Sequence, residues 1–380
     1  AGAALGTGAT ALGGLLLLRR YLQQELRPPQ LHHRSSSEGS EDELLLKIQL
    51  ALRDYWPHPV LEFSGYVSTF WSGFWAGLPA ASEGHEELLM LQDGGTVSLH
   101  WSDEPAECGV KRVVLILPGL NNHSRTSFIQ QAMRSLRLEG FHAVALNYRG
   151  TGGLDLTSER LGCADNWRDL NEVVRHLEVA KPGAELFAVG FSMGGGILLR
   201  YLGEEGPRAR FRAAVTVAAP VDFSASQEVL ESSLRKRFLN FMMVQGVKLF
   251  MLRSSMHSSL WSKLEVGRIL RTRTLRQLEA LTVCPVNGYS DPEEYYASNS
   301  PMPHLASISV PTLVIHAADD PVISVTTMPI EVMQRNPRIY VAITRRGGHI
   351  GWGSGGLGAA SWTDSMAVHF MQACAARSRL

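Results

Sequence analysis

Gly190-Phe191-Ser192-Met193-Gly194 places a serine between glycines, two residues on either side, where the apolar run Leu186–Val189 gives way to a helix-like segment. This is the G-x-S-x-G pattern of a nucleophile elbow, in which a sharp strand-to-helix turn exposes the hydroxyl. The serine backbone is strained there, so Gly190 and Gly194 must lack a Cβ to clear the adjoining strand and helix. A glycine-rich turn with an incidental serine has the same letters, so the partners decide. A hydrolytic serine needs a base, a group that orients the base, and an oxyanion hole. In elbow folds they follow in the chain order Ser, Asp or Glu, His.

Both partners occur in that order. The run Val310–His316 leads into Ala317-Ala318-Asp319-Asp320-Pro321, placing two aspartates at a strand's carboxyl end, where catalytic groups gather in open α/β sheets. Neighbouring side chains point in opposite directions, so one meets the histidine while the other caps the turn. Asp320 is expected to be the triad acid, with Asp319 the alternative. The last strand runs into Arg345-Arg346-Gly347-Gly348-His349-Ile350-Gly351-Trp352, where His349 occupies the place of the base. His316, inside the strand before the acid, and His123, after Pro118-Gly119, do not. The N–H of Met193 and that of Leu120, in the loop Leu117–Asn122, are the expected oxyanion donors, each worth roughly 2.7–4 kcal/mol in the transition state.

The elements that must hold these groups alternate strand and helix. Leu88–Leu91 and Val97–Trp101 flank Asp93-Gly94-Gly95, a hairpin signal. Arg112–Leu117 is nearly all apolar, as in a parallel sheet buried on both faces. Helix from Ser127 to Leu138, strand His142–Leu146, helix from Asp165 to Val179, the elbow strand, helix Gly195–Leu202 and strand Ala213–Ala218 follow. After Ser300 the alternation resumes with strand Thr312–His316, helix around Met328–Met333, strand Ile339–Ile343 and a final helix from Thr363 to Ala376. This pattern predicts a doubly wound, mostly parallel sheet. Residues 221–300 break the rhythm with helical pattern and many apolar side chains, as a helical cap or lid insert would. Met-rich surface adapts to flexible chains.

Ahead of this core, residues 1–20 end in Leu15–Leu18 and Arg19-Arg20 and are uncharged before that pair, just enough for a membrane span. An uncleaved single-pass anchor is expected over a signal peptide, because no small-residue cleavage site follows. The arginine pair favours the cytosolic side for the rest, unless upstream charges outweigh it. Residues 21–45 read as linker and 46–86 as an N-terminal arm. The aromatics Phe63, Tyr66, Phe70, Trp71, Phe74 and Trp75 are expected to pack that arm on the core, with a membrane-surface patch or acyl-binding lip the alternatives. Residues 87–220 and 301–380 form the catalytic core.

Zero formal net charge gives no argument for nucleic acid, and 45% hydrophobic with 19% charged residues is a globular composition. Cys108, Cys163, Cys284 and Cys374 lack metal spacing and read as buried free thiols; no metal or cofactor is called for. Gly353–Gly358 matches a dinucleotide fingerprint in letters only, since no strand-to-helix context or ribose-binding acid accompanies it. The sequon Asn122-His123-Ser124 lies in the oxyanion loop, where a glycan would obstruct the site.

Leu117-Pro118-Gly119-Leu120, Asn147-Tyr148-Arg149-Gly150, Phe187–Gly194, Ala317–Pro321 and Gly347–Trp352 together resemble the α/β-hydrolase superfamily. Within it they are similar to the membrane-anchored α/β-hydrolase domain-containing branch, which includes the plant embryogenesis-associated hydrolases. The resemblance covers Glu87 to the C-terminus. It implies a Ser192–Asp320–His349 triad and esterase, acylglycerol-lipase or phospholipase activity on a lipid ester, from a membrane-anchored protein. Gly65-Tyr66-Val67-Ser68-Thr69 sits where relatives carry a Gly-His-Leu-Gln-Thr-like block, and its histidine and glutamine are absent. Two other readings fit the same residues: an acyltransferase using the same acyl-enzyme, and a non-catalytic hydrolase fold that binds a lipid or a partner.

Overall fold

The computed structural model describes residues 27–34, 39–58, 61–76, 84–105, 111–254, 260, 262, 264–353 and 361–377. The expected anchor over residues 1–20 lies outside them, as do Cys108 and most of Gly353–Gly358. Among the described residues, no helix is long and apolar enough to cross a membrane.

Among the described residues, nine strands form one sheet: β1 (Gln30–His32), β2 (His85–Met90), β3 (Thr96–Trp101), β4 (Arg112–Leu117), β5 (His142–Asn147), β6 (Glu185–Phe191), β7 (Phe211–Val217), β8 (Thr312–Ala317) and β9 (Ile339–Thr344). Their order is β1-β9-β8-β7-β6-β4-β5-β3-β2. The run from β5 to β9 is parallel, while β1, β2 and β3 pair antiparallel. This is the α/β-hydrolase fold.

Period-two alternation divides each central strand between two cores. Val114 and Ile116 face one side with α1 (Gly39–Leu52), α3 (Ser127–Leu138) and α13 (Trp362–Ala375). Val113, Leu115 and Leu117 face the other with α4 (Trp167–Ala180), α5 (Met193–Glu205) and α12 (Ile330–Gln334). Burial on both faces is why these strands read as unbroken apolar runs.

Between β7 and β8 the described residues form helices: α6 (Phe223–Leu230), α7 (Leu234–Ser254), α8 (Val266–Ile269), α9 (Leu275–Leu281), α10 (Val283–Asn287) and α11 (Pro292–Asn299). Leu239, Met243, Val244, Val247 and Met251 of α7 pack with Leu120, Val322 and Ile323, so this helix lies over the loops after β4 and β8.

Two expectations for the N-terminal third need correction. Gln30–His32 lies inside the expected linker yet forms the edge strand β1, paired with β9, and α1 begins at Gly39. Three residues are too short for a periodic signal. Four of the arm's six aromatics do not fill the core: Phe63, Phe70, Trp71 and Phe74 are exposed, Tyr66 is half-buried, and the Trp75 side chain lies outside the described residues. Helix α2 (Gly65–Ala76) turns its small residues inward instead, and Gly65 and Ser68 are the buried ones.

Candidate active site

Ser192 sits between β6 and α5 with φ 49° and ψ −122°. Its N–H donates to Val217 O at 2.8 Å, and its carbonyl accepts from Gly195 and Gly196 at 2.9 and 3.1 Å. Those bonds hold the strained turn. The flanking glycines are needed sterically: a Cβ on Gly190 would lie 2.7 Å from Gly194 O, and one on Gly194 would lie 2.2 Å from Leu117 O.

The three expected side chains come together. His349 Nε2 is 2.8 Å from Ser192 Oγ, and His349 Nδ1 is 2.9 Å from Asp320 Oδ2. Asp320 Oδ1 accepts from the N–H groups of Val322 and Ile323 at 2.8 and 2.9 Å. Burial alone would push this carboxyl up; the facing His349 and these bonds outweigh it and hold the group below its ordinary value. Asp319 points the other way and accepts from Gly348 N–H at 3.0 Å. Burial pushes it up despite that bond and Arg346. His316 is buried and bonded through Nε2 to Ile323 O, and so backs the acid loop rather than the serine.

The histidine loop takes unusual backbone angles, with φ at +143°, +55° and +60° for Gly347, Gly348 and Ile350. A Cβ on Gly347 would meet the Trp352 ring at 2.4 Å, and one on Gly348 would meet Gly65 O at 2.5 Å. Helix α2 holds this loop. His349 N–H donates to Thr69 Oγ1 at 2.9 Å, Ser72 Oγ donates to His349 O at 3.1 Å, and Ser68 Oγ donates to Gly347 O at 2.8 Å. Sequence reasoning missed these three residues. Their signal is a stripe of small and hydroxyl side chains at 65, 68, 69 and 72, the i, i+3, i+4, i+7 spacing of one helix face.

The loop after β4 abuts the elbow: a Cβ on Gly119 would lie 3.1 Å from Ser192 Cβ. Asn121 has φ 62°, and Asn122 Nδ2 donates to Leu120 O at 3.0 Å. Tyr148 donates its hydroxyl to Pro118 O at 3.2 Å. Met193 opens α5, where an N–H has no carbonyl within the helix. Among the described residues, no protein group accepts from the N–H of Leu120 or Met193. Arg149 anchors the loop after β5, bonding Asp169 through Nε and Nη2 at 2.6 and 2.8 Å.

A cleft of about 830 Å³, its open mouth included, runs from Leu120 and Met193 beneath the helical segment. Val247, Phe250, Met251, Leu275, Leu278 and Val283 make most of its wall apolar.

A family model described as "Serine aminopeptidase, S33" matches residues 109–338. The chain is 31% identical over 274 residues to Phospholipase ABHD3 of Bos taurus, covering 70% of this chain and 66% of that protein. It is 26% identical over 346 residues to Embryogenesis-associated protein EMB8 of Picea glauca, covering 88% and 75%. It is 26% identical over 374 residues to Monoacylglycerol lipase ABHD2 of Mus musculus, covering 93% and 87%. The chain thus spans just under two thirds of the ABHD3 sequence. With the nine-stranded sheet and the elbow, these matches place it: the chain belongs to the α/β-hydrolase family that carries the serine aminopeptidase S33 description, in its α/β-hydrolase domain-containing branch.

Proposed function

We propose that the protein is a serine hydrolase that opens the carboxylic ester of a lipid through an acyl-enzyme. Ser192 attacks the ester carbonyl as His349 Nε2 takes its proton. Asp320 holds the imidazole in the tautomer with Nδ1–H and stabilises the imidazolium. The N–H groups of Leu120 and Met193 receive the oxyanion. His349 then protonates the leaving alcohol. Water, giving a proton to His349, clears the acyl group, and the proton returns to Ser192.

The observation that carries this reading is the unbroken chain from Asp320 Oδ2 through both ring nitrogens of His349 to Ser192 Oγ. The lipid preference is supported by the apolar cleft beside Met193 and by the lipase and phospholipase names of the relatives. On this reading residues 221–300 act as the cap over a core of 87–220 and 301–380, and residues 1–20 anchor the protein in a membrane.

Purified Ser192→Ala protein with wild-type melting should hydrolyse neither a soluble aryl ester nor an acylglycerol. Full turnover by that variant would sink the reading. Resistance of the full chain to alkaline extraction from membranes tests the anchor separately.

A further inference from the structure

Helix α2 lies outside the region matched by the family model, as His349 does, yet it grips the catalytic loop on both sides of the histidine. Thr69 is oriented for this. Its hydroxyl donates to Gly65 O at 2.6 Å, which leaves an oxygen lone pair for the N–H of His349. Ser72 Oγ lies 3.0 Å from Thr69 O and 3.1 Å from His349 O, so its single proton bridges the helix and the loop. Close packing sets the spacing between them. A Cβ on Gly65 would lie 1.8 Å from Asp319 O, and one on Gly351 would lie 1.7 Å from Ser68 Oγ. The helix therefore touches the acid loop and the histidine loop together.

The face that α2 turns inward is polar and small, while Phe70, Trp71 and Phe74 remain exposed. A helix held by apolar burial would be turned the other way. Its inward contacts are hydrogen bonds and glycine-sized approaches to a loop whose backbone is strained at three of four successive residues. Such backbone persists only when the surroundings over-determine it.

We propose that α2 is a positioning element of the active site, in which Thr69 and Ser72 hold the two peptide groups of His349 and thereby aim its imidazole at Ser192. This rests on the reading of Ser192 and His349 as nucleophile and base. Neither hydroxyl touches the reacting atoms. Their loss leaves the substrate cleft intact but loosens the base, so the effect falls on the chemical step.

The test compares Thr69→Val, which keeps the shape and removes the acceptor, with Thr69→Ser, which keeps the hydroxyl. A soluble aryl ester is the substrate. Thr69→Val should lower kcat by about tenfold to a hundredfold with KM within about twofold, the range of a uniform-binding effect too small to matter. The rate of Ser192 labelling by a fluorophosphonate should fall in parallel. Thr69→Ser should recover most of both. Wild-type kcat in Thr69→Val overturns the proposal, as does equal loss in both variants at wild-type melting temperature. Should Thr69→Val fail to fold, Ser72→Ala is the measure: kcat is expected to fall about threefold at unchanged KM, and wild-type kcat overturns the proposal. Ser192→Ala run alongside separates the two readings. Wild-type turnover there rejects the hydrolase mechanism, whereas its loss beside a fully active Thr69→Val rejects only the role of α2.

Discussion

His349 Nδ1 stands 2.9 Å from Asp320 Oδ2, and the other oxygen of that carboxylate is taken by the N–H groups of Val322 and Ile323. Every lone pair of the acid that matters for orientation is thus committed, so the carboxylate cannot turn away from the imidazole. The adjacent Asp319 spends its carboxylate on Gly348 N–H and Arg346.

That division separates the two aspartates by experiment. Asp320→Asn keeps the shape but favours the wrong histidine tautomer, and kcat should drop by about 10⁴-fold. Asp319→Asn should keep kcat within about tenfold, since it alters the loop's support and not the imidazole's partner. Steady-state kinetics on a soluble ester distinguish them.

The elbow glycines should fail sterically rather than chemically. Gly194→Ala puts a Cβ 2.2 Å from Leu117 O and 2.4 Å from Pro118 O, both backbone atoms that cannot swing aside. A loss of about 1–3 kcal/mol or more in denaturant unfolding is expected, together with loss of turnover because Leu117 and Pro118 lead into the oxyanion loop.

Much of this was legible in the chain because the elbow and the histidine loop are local patterns. Ser192 and His349 carry their glycines within two residues, and the apolar strands announce a sheet covered on both faces. The alternation of side-chain direction says that only one of Asp319 and Asp320 can face the histidine, but not which; that needs the fold of the loop after β8, which turns Asp320 toward His349 and Asp319 toward Gly348. What stayed hidden depends on distant pairing. Thr69 meets His349 across 280 residues, and nothing in either segment names the other. The aromatics of α2 suggested a buried face because burial is their usual fate. Here the contact to the catalytic loop claimed the small face, leaving Phe70, Trp71 and Phe74 outside.

Cleft shape should set chain-length preference. Val247 lines the cleft from α7 and is half-buried, so Val247→Phe narrows it without opening the core. Each methylene kept from burial costs about 0.8 kcal/mol, roughly fourfold. Hydrolysis of long-chain esters should fall about tenfold or more in kcat/KM, with short-chain esters nearly unchanged. A panel of esters of increasing acyl length measures this.

Stability should decline as pH rises through neutrality. Burial, reinforced by Asp319, pushes the Glu62 carboxyl up to about 8, and burial pushes Asp364 up to about 7. The folded protein then holds protons that the unfolded chain gives up near the ordinary carboxylate value. The stability these protonated groups contribute is complete below that value and is lost as pH rises through their folded values. Burial also depresses His123, His142, His304 and His316, which adds stability as pH rises toward the ordinary histidine value. Melting temperature should therefore drop above that value, between about pH 6.5 and about pH 8. Glu62→Gln should flatten the drop. An unchanged slope in that variant would show that Glu62 does not titrate in this range.

The central claim is that Ser192 is an activated nucleophile. Treating the purified protein with a fluorophosphonate and mapping the adduct by peptide mass spectrometry measures this directly. A single adduct on Ser192, slowed by a competing lipid ester and absent when His349 is replaced by alanine, is the predicted result. A folded protein that leaves Ser192 unlabelled, or labels it equally fast without His349, contradicts the account.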